Sequence, residues 1–129
     1  MATMRVSRRL ALAAAGVSAG LLTAYGVARP GDLEFLTGQT LYADCSAKPG
    51  DADYATRSAR CVGYVMGVSD AEQALQGAGA TQRVCLPPTA SAGAMAQVVA
   101  RYLADHADKR PTAAQDLVIE ALGAEYPCH

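Results

Sequence analysis

Hydrophobic and polar positions alternate most regularly between Met95 and His106. There Met95, Val98, Val99, Tyr102, Leu103 and His106 recur at i, i+3, i+4, i+7, i+8 and i+11. That spacing predicts an α-helix with one buried side. A second helix is expected from about Asp53 to Gln76, with Cys61, Val65, Val68 and Leu75 near helical spacing and "GAGA" (Gly77 to Ala80) ending it. Ahead of it, Asp32 is a good N-cap for a helix carrying Leu33, Leu36, Thr40, Leu41 and Cys45, and Pro49-Gly50 breaks the chain after that. A fourth helix should open at Thr112, where Gln115 three residues later makes a capping-box pattern. Ala114, Leu117, Val118, Ala121 and Leu122 form its stripe until Pro127. No alternating strand pattern competes. The fold class that follows is all-α: a small bundle of about four helices with short connections, residues 32–129, after a different N-terminal segment.

That first segment has three arginines (Arg5, Arg8, Arg9), no acidic residue, and an uncharged run from Leu10 to Ala28. These are the n-region and h-region of a signal peptide over residues 1–28, with small residues Gly26 and Ala28 at the cleavage end. The run is also near the ~20 residues that span a bilayer, so an uncleaved inner-membrane anchor is the alternative. Its Ala and Gly content favours cleavage and a periplasmic product. Cleavage after Ala28 would leave 8 basic against 12 acidic residues, a net charge near −4. With its cations scattered, such a domain is a poor match for nucleic acid and suits a protein partner better.

Cys45, Cys61, Cys85 and Cys128 all follow the export segment. An even number in an oxidising compartment implies two disulfides. With no Trp and one Phe to fill a core, each bridge would contribute about 3–4 kcal/mol for loops of ~15–45 residues. Three pairings exist. Helices that alternate in direction would bring Cys45 opposite Cys61 and Cys85 toward Cys128, which is the pairing expected here.

Paired cysteines cannot act as nucleophiles, and the histidines, His106 on an apolar stripe and His129 at the C-terminus, are weak partners for one. Cysteine gaps of 16, 24 and 43 do not fit short-spaced zinc ligands. No catalytic residue, metal site or cofactor is therefore expected. Gly63 and Gly67 form G-x-x-x-G beside Cys61, but Asp70 and Glu72 follow too closely for a membrane span. The expectation is that these glycines let a neighbouring helix approach where Cys61 is tied down.

Taken in order, "CVGYVMGVSDA", "CLP", "QVVARYLADH" and "ALGAEYPC", over about Leu36 to Cys128, resemble the Rap/Tai immunity proteins of type VI secretion systems. The resemblance implies an exported helical protein, often a homodimer, that binds a peptidoglycan amidase effector and blocks its cleft. Family members often have His-Pro where this chain has His106-Ala107 and Phe where it has Tyr126. An inhibitory surface would be sought in the polar loops "QGAGATQRV" (Gln76 to Val84) and "DHADKRP" (Asp105 to Pro111). Arg83, Lys109 and Arg110 could meet carboxylates there, and Asp105 and Asp108 could meet cations. The competing function is a periplasmic structural or chaperone-like helical protein without a cognate toxin.

Overall fold

The computed structural model describes residues 35–129. The expected export segment, Asp32 and Leu33 lie outside those residues. Four α-helices follow in order: α1 (Gly38–Cys45), α2 (Tyr54–Gly77), α3 (Ala92–Asp105) and α4 (Ala114–Glu125), with a single 3₁₀ turn at Ala107–Lys109 between α3 and α4. Among the described residues there is no named strand; isolated bridges join Thr37 to Ala113 and Pro49 to Asp51.

The core is aliphatic. Leu41 of α1, Val65 of α2, Val99 and Leu103 of α3, and Leu117, Val118 and Leu122 of α4 are fully buried. The stripe read on α3 is the one that faces inward, with Met95, Val98, Val99 and Leu103 buried. Ser91, extended at the N-cap, accepts from the Ala94 N–H at 3.2 Å and opens that helix. The inward face of α2 is Cys61, Val65, Ser69 and Glu72. Leu75, expected on that stripe, is instead 53 % exposed. A step of four residues turns 400° on a helix, so the face drifts from Val65 to Ser69 and away from Leu75.

Two N-termini are capped differently from expectation, and by each other. Helix α1 begins at Gly38 rather than near Asp32: Thr37 is extended, and its Oγ1 accepts from the Thr40 N–H at 3.3 Å. The residues just before it are used in tertiary bonds, since the Leu36 carbonyl accepts from Ala114 N at 2.8 Å. In return, Gly38 N donates to the Thr112 carbonyl at 2.9 Å and Gln39 N to the Arg110 carbonyl at 2.8 Å. Thr112 is therefore not the N-cap of α4. Its hydroxyl donates to the Lys109 carbonyl at 2.9 Å, and Ala113 occupies the cap position without a side-chain bond. Backbone from the other helix end does the work a capping box would have done. The approach is close enough that a Cβ on Gly38 would overlap Leu117 Cδ1 and stand 3.0 Å from the Arg110 carbonyl oxygen.

A disulfide joins Cys45, the last residue of α1, to Cys61 of α2, with Cα atoms 5.0 Å apart. Ion pairs reinforce this corner. Arg60 reaches the buried Asp44 at 3.2 Å, while Arg57 pairs with Asp51 and Asp53 and donates to the Ala43 carbonyl. A second disulfide joins Cys85 to Cys128, Cα atoms 5.1 Å apart, and closes a separation of 43 residues.

Gly63 and Gly67 correct the sequence reading. Both are exposed, and a Cβ built on either meets nothing within 4 Å. Each lies two residues past an inward position of α2, about 200° around the helix. The disulfide at Cys61 is on the inner face while these glycines are on the outer one, so they do not pack a neighbouring helix of this domain.

Candidate protein-binding surface

Past Gly77 the chain runs without regular structure to the next helix, crossing the ends of α2 and α4. This strap is fastened along its length. Val84 is buried in the core, and the Val84 carbonyl accepts from Gln76 Nε2 at 3.4 Å. Cys85 N donates to the Tyr126 carbonyl at 2.9 Å and its sulfur is bonded to Cys128. The Arg83 carbonyl lies so near Gly123 of α4 that a Cβ there would stand 3.0 Å from it. Residues 77–83, by contrast, are all exposed, with Gly79 at φ 93° letting the chain reverse. A short exposed tip is thus presented from anchored ends.

Arg83 holds the tip to α2. Its Nε and Nη2 donate to the two carboxylate oxygens of Glu72, the first at 3.0 Å. The Glu72 side chain is 5 % exposed and that of Arg83 is 52 % exposed. The guanidinium holds the Glu72 carboxyl below the usual carboxylate range, against the upward push of burial. Glu72, read from the sequence only as a polar position that keeps α2 out of a membrane, is instead on the inward face, its spacing continuing Cys61, Val65 and Ser69. That continuation was the available signal for a buried carboxylate in need of a cation.

Beside the strap lies a cleft of about 120 Å³ between α2 and α4. Val68, Val84, Ile119 and Leu122 line it with apolar surface, and Gln73, Gln76 and Gln82 supply carboxamides. A broader groove of about 290 Å³ runs along the Cys45–Cys61 corner, between Tyr54 and Val62 of α2 and Ala96 and Ala100 of α3.

The other predicted residues gather at the corner between α3 and α4. Tyr102 Oη donates to Glu120 Oε2 at 2.6 Å, and Lys109 Nζ donates to that oxygen at 2.7 Å and to Tyr102 Oη at 2.9 Å. Glu120 raises the Lys109 ammonium above its ordinary range, with help from Tyr102, while Lys109 lowers Glu120. Burial raises the Tyr102 phenol, and its bond to Glu120 adds to this. Arg110 donates to the Leu103 carbonyl at 2.7 Å and the Ala104 carbonyl at 3.2 Å, and its guanidinium lies 3.6 Å from the Tyr42 ring centre. It closes the C-terminus of α3, where carbonyls lack helical partners. Arg83, Lys109 and Arg110 are therefore engaged within the domain rather than free. Asp105 and Asp108 are exposed and make no ion pair among the described residues.

His106 is the C-cap residue of α3; its Nδ1 lies 2.8 Å from the Tyr102 carbonyl and its ring stacks on Tyr102 at 4.0 Å. A carbonyl only accepts, so Nδ1 carries the proton. All four cysteines are disulfide-bonded, which leaves this imidazole no thiol to activate. Among the described residues no cluster of three or more His, Cys, Asp or Glu side chains could hold a metal ion, and no helix is long and apolar enough to cross a membrane.

No curated protein and no solved structure matches the chain. A family model does: the Rap1a immunity proteins match residues 37–128, a span that takes in all four helices, both disulfides and the strap. The chain belongs to the Rap1a immunity protein family.

Proposed function

We propose that this protein protects its host from a peptidoglycan amidase effector of a type VI secretion system, by binding the enzyme and occluding its cleft. The observation that supports this most directly is the strap: a tip at residues 77–83, exposed at every position, held between Arg83–Glu72, buried Val84 and the Cys85–Cys128 bridge. A tip fixed at its base loses little conformational entropy when it enters a partner's cleft. Loops carried on a rigid scaffold are where recognition is commonly built. Membership of the immunity family supplies the class of partner, a secreted effector protein. The amidase chemistry is the finer reading, and it follows the motif resemblance.

In the same reading, residues 1–28 export the chain as a cleaved signal peptide, residues 32–129 form the immunity domain, and the protein works in the periplasm as a homodimer. Two disulfides agree with an oxidising compartment. The corner at Asp105 and Asp108 carries unpaired carboxylates and would serve as a secondary contact for cations on the effector. The test is capture from an envelope extract with the tagged protein, followed by an assay of peptidoglycan amide hydrolysis. A captured amidase that loses activity upon binding is the expected result. An extract that yields no stable partner, together with uninhibited amidase from the same genome, would overturn the reading.

A further inference from the structure

The 120 Å³ cleft lies beside the exposed tip. Gln76 immediately precedes the tip and Gln82 lies within it, and both line this cleft between α2 and α4. At about 120 Å³ it is somewhat smaller than the dry cavity of about 150 Å³ that encloses benzene, and it is open on one side, so it can seat one bulky side chain that extends from its mouth. Val68, Val84, Ile119 and Leu122 give it apolar walls. The ionised group lining it is Glu72, and both of its oxygens are taken by Arg83. No unpaired charge is left to attract an ion, and a charged side chain entering would lose hydration without gaining a counter-charge. Gln73 and Gln76 place carboxamides at the same cleft, and Gln82 adds a third. Gln76 Nε2 already donates to the Val84 carbonyl and Gln73 Nε2 to the Ser69 carbonyl at 3.5 Å, so these two present chiefly their Oε1 acceptors to a peptide N–H, while a carboxamide such as that of Gln82 complements both N–H and C=O. Leu75, next to Gln76, adds exposed apolar area to the same helix end.

We infer that this cleft receives one uncharged, bulky side chain, of leucine to phenylalanine size, from the effector, with the glutamine carboxamides bonding the peptide backbone that carries it. The inference rests on the immunity reading and deepens it: the tip enters the effector, and the effector returns an anchor into the cleft at the base of the tip. Anchors of this kind, seated in desolvated pockets, dominate the affinity of protein interfaces.

Two measurements test it. In the first, Gln73→Trp places an indole at the mouth of the cleft from an exposed position, and Gln39→Trp on α1 is the control. With the amidase effector as ligand, Gln73→Trp should weaken binding at least 30-fold and Gln39→Trp less than 3-fold, with far-ultraviolet circular dichroism unchanged in both. Should Gln73→Trp fail to fold, Gln82→Trp on the strap replaces it. In the second, N-acetyl-phenylalanine methylamide at millimolar concentration is titrated into the wild-type protein. Amide resonances of Ser69, Gln73, Val84 and Leu122 should shift together, and the shifts should vanish in Gln73→Trp. If the wild-type protein binds the effector and Gln73→Trp binds it equally, the cleft is not the anchor site. If the wild-type protein binds no amidase, the immunity reading fails, and the blocked amino acid alone decides: shifts at those amides keep the cleft as a peptide-anchor site, and their absence removes it.

Discussion

Glu72 is a carboxylate shut away from water with a single cation to answer it. Because Arg83 lowers its folded-state pKa below the unfolded value of about 4.3, the pair stabilises the fold above that pH. The contribution is lost as pH falls through the folded value. Glu120, lowered by Lys109 and Tyr102, acts in the same direction and the same window. Thermal unfolding followed from pH 6 to pH 2 should therefore show Tm dropping steeply below about pH 4, and Glu72→Gln should flatten that drop. A Glu72→Gln curve parallel to the wild type would place the acid sensitivity elsewhere. The pairing also explains why the residues chosen from sequence as partner contacts behave differently in the fold. Arg83, Lys109 and Arg110 could be read as loop cations, yet each finds a carboxylate or a helix carbonyl inside the domain. A loop sequence gives the charge of a residue, and only the neighbouring helices give its counter-charge.

At the level of elements, periodicity was a sound guide wherever a helix buries a continuous stripe, as with Met95, Val98, Val99 and Leu103 on α3. It was a poorer guide at helix ends. The starts of α1 and α4 are set by backbone bonds between residues far apart in the chain, Leu36 to Ala114 and Thr112 to Gly38, which no local capping pattern encodes. The glycines show the same division. Gly38 has no room for a side chain, so Gly38→Ala should cost about 1–3 kcal/mol through overpacking against buried Leu117 and the Arg110 backbone. Gly63 and Gly67 have open space in the middle of α2, so Gly63→Ala and Gly67→Ala should each stabilise by up to about 1 kcal/mol. Urea unfolding of the three variants checks both statements. A destabilising Gly63→Ala would return that residue to a packing role.

For the whole molecule, the aliphatic core is small and the two bridges carry a large part of the stability. Opening Cys85–Cys128 should cost about 4 kcal/mol and opening Cys45–Cys61 about 3 kcal/mol, following the sizes of the loops they close. The two differ in consequence as well as size. Cys85–Cys128 fastens the strap, so a Cys85→Ser/Cys128→Ser variant should lose effector inhibition at temperatures where its helices remain intact. Circular dichroism and the amidase assay, run on one sample, separate the two effects. Two bridges were legible from an even set of four cysteines. The cleft beside α2 was not, since it forms only when the strap is laid across α2 and α4. The most direct test of the account is a titration of the purified amidase effector with the oxidised protein and with Thr81→Trp at the exposed tip. Stoichiometric loss of amide hydrolysis with the wild type, weakened at least tenfold by Thr81→Trp, is the predicted result; full amidase activity at saturating wild-type protein, or equal inhibition by both, would contradict it.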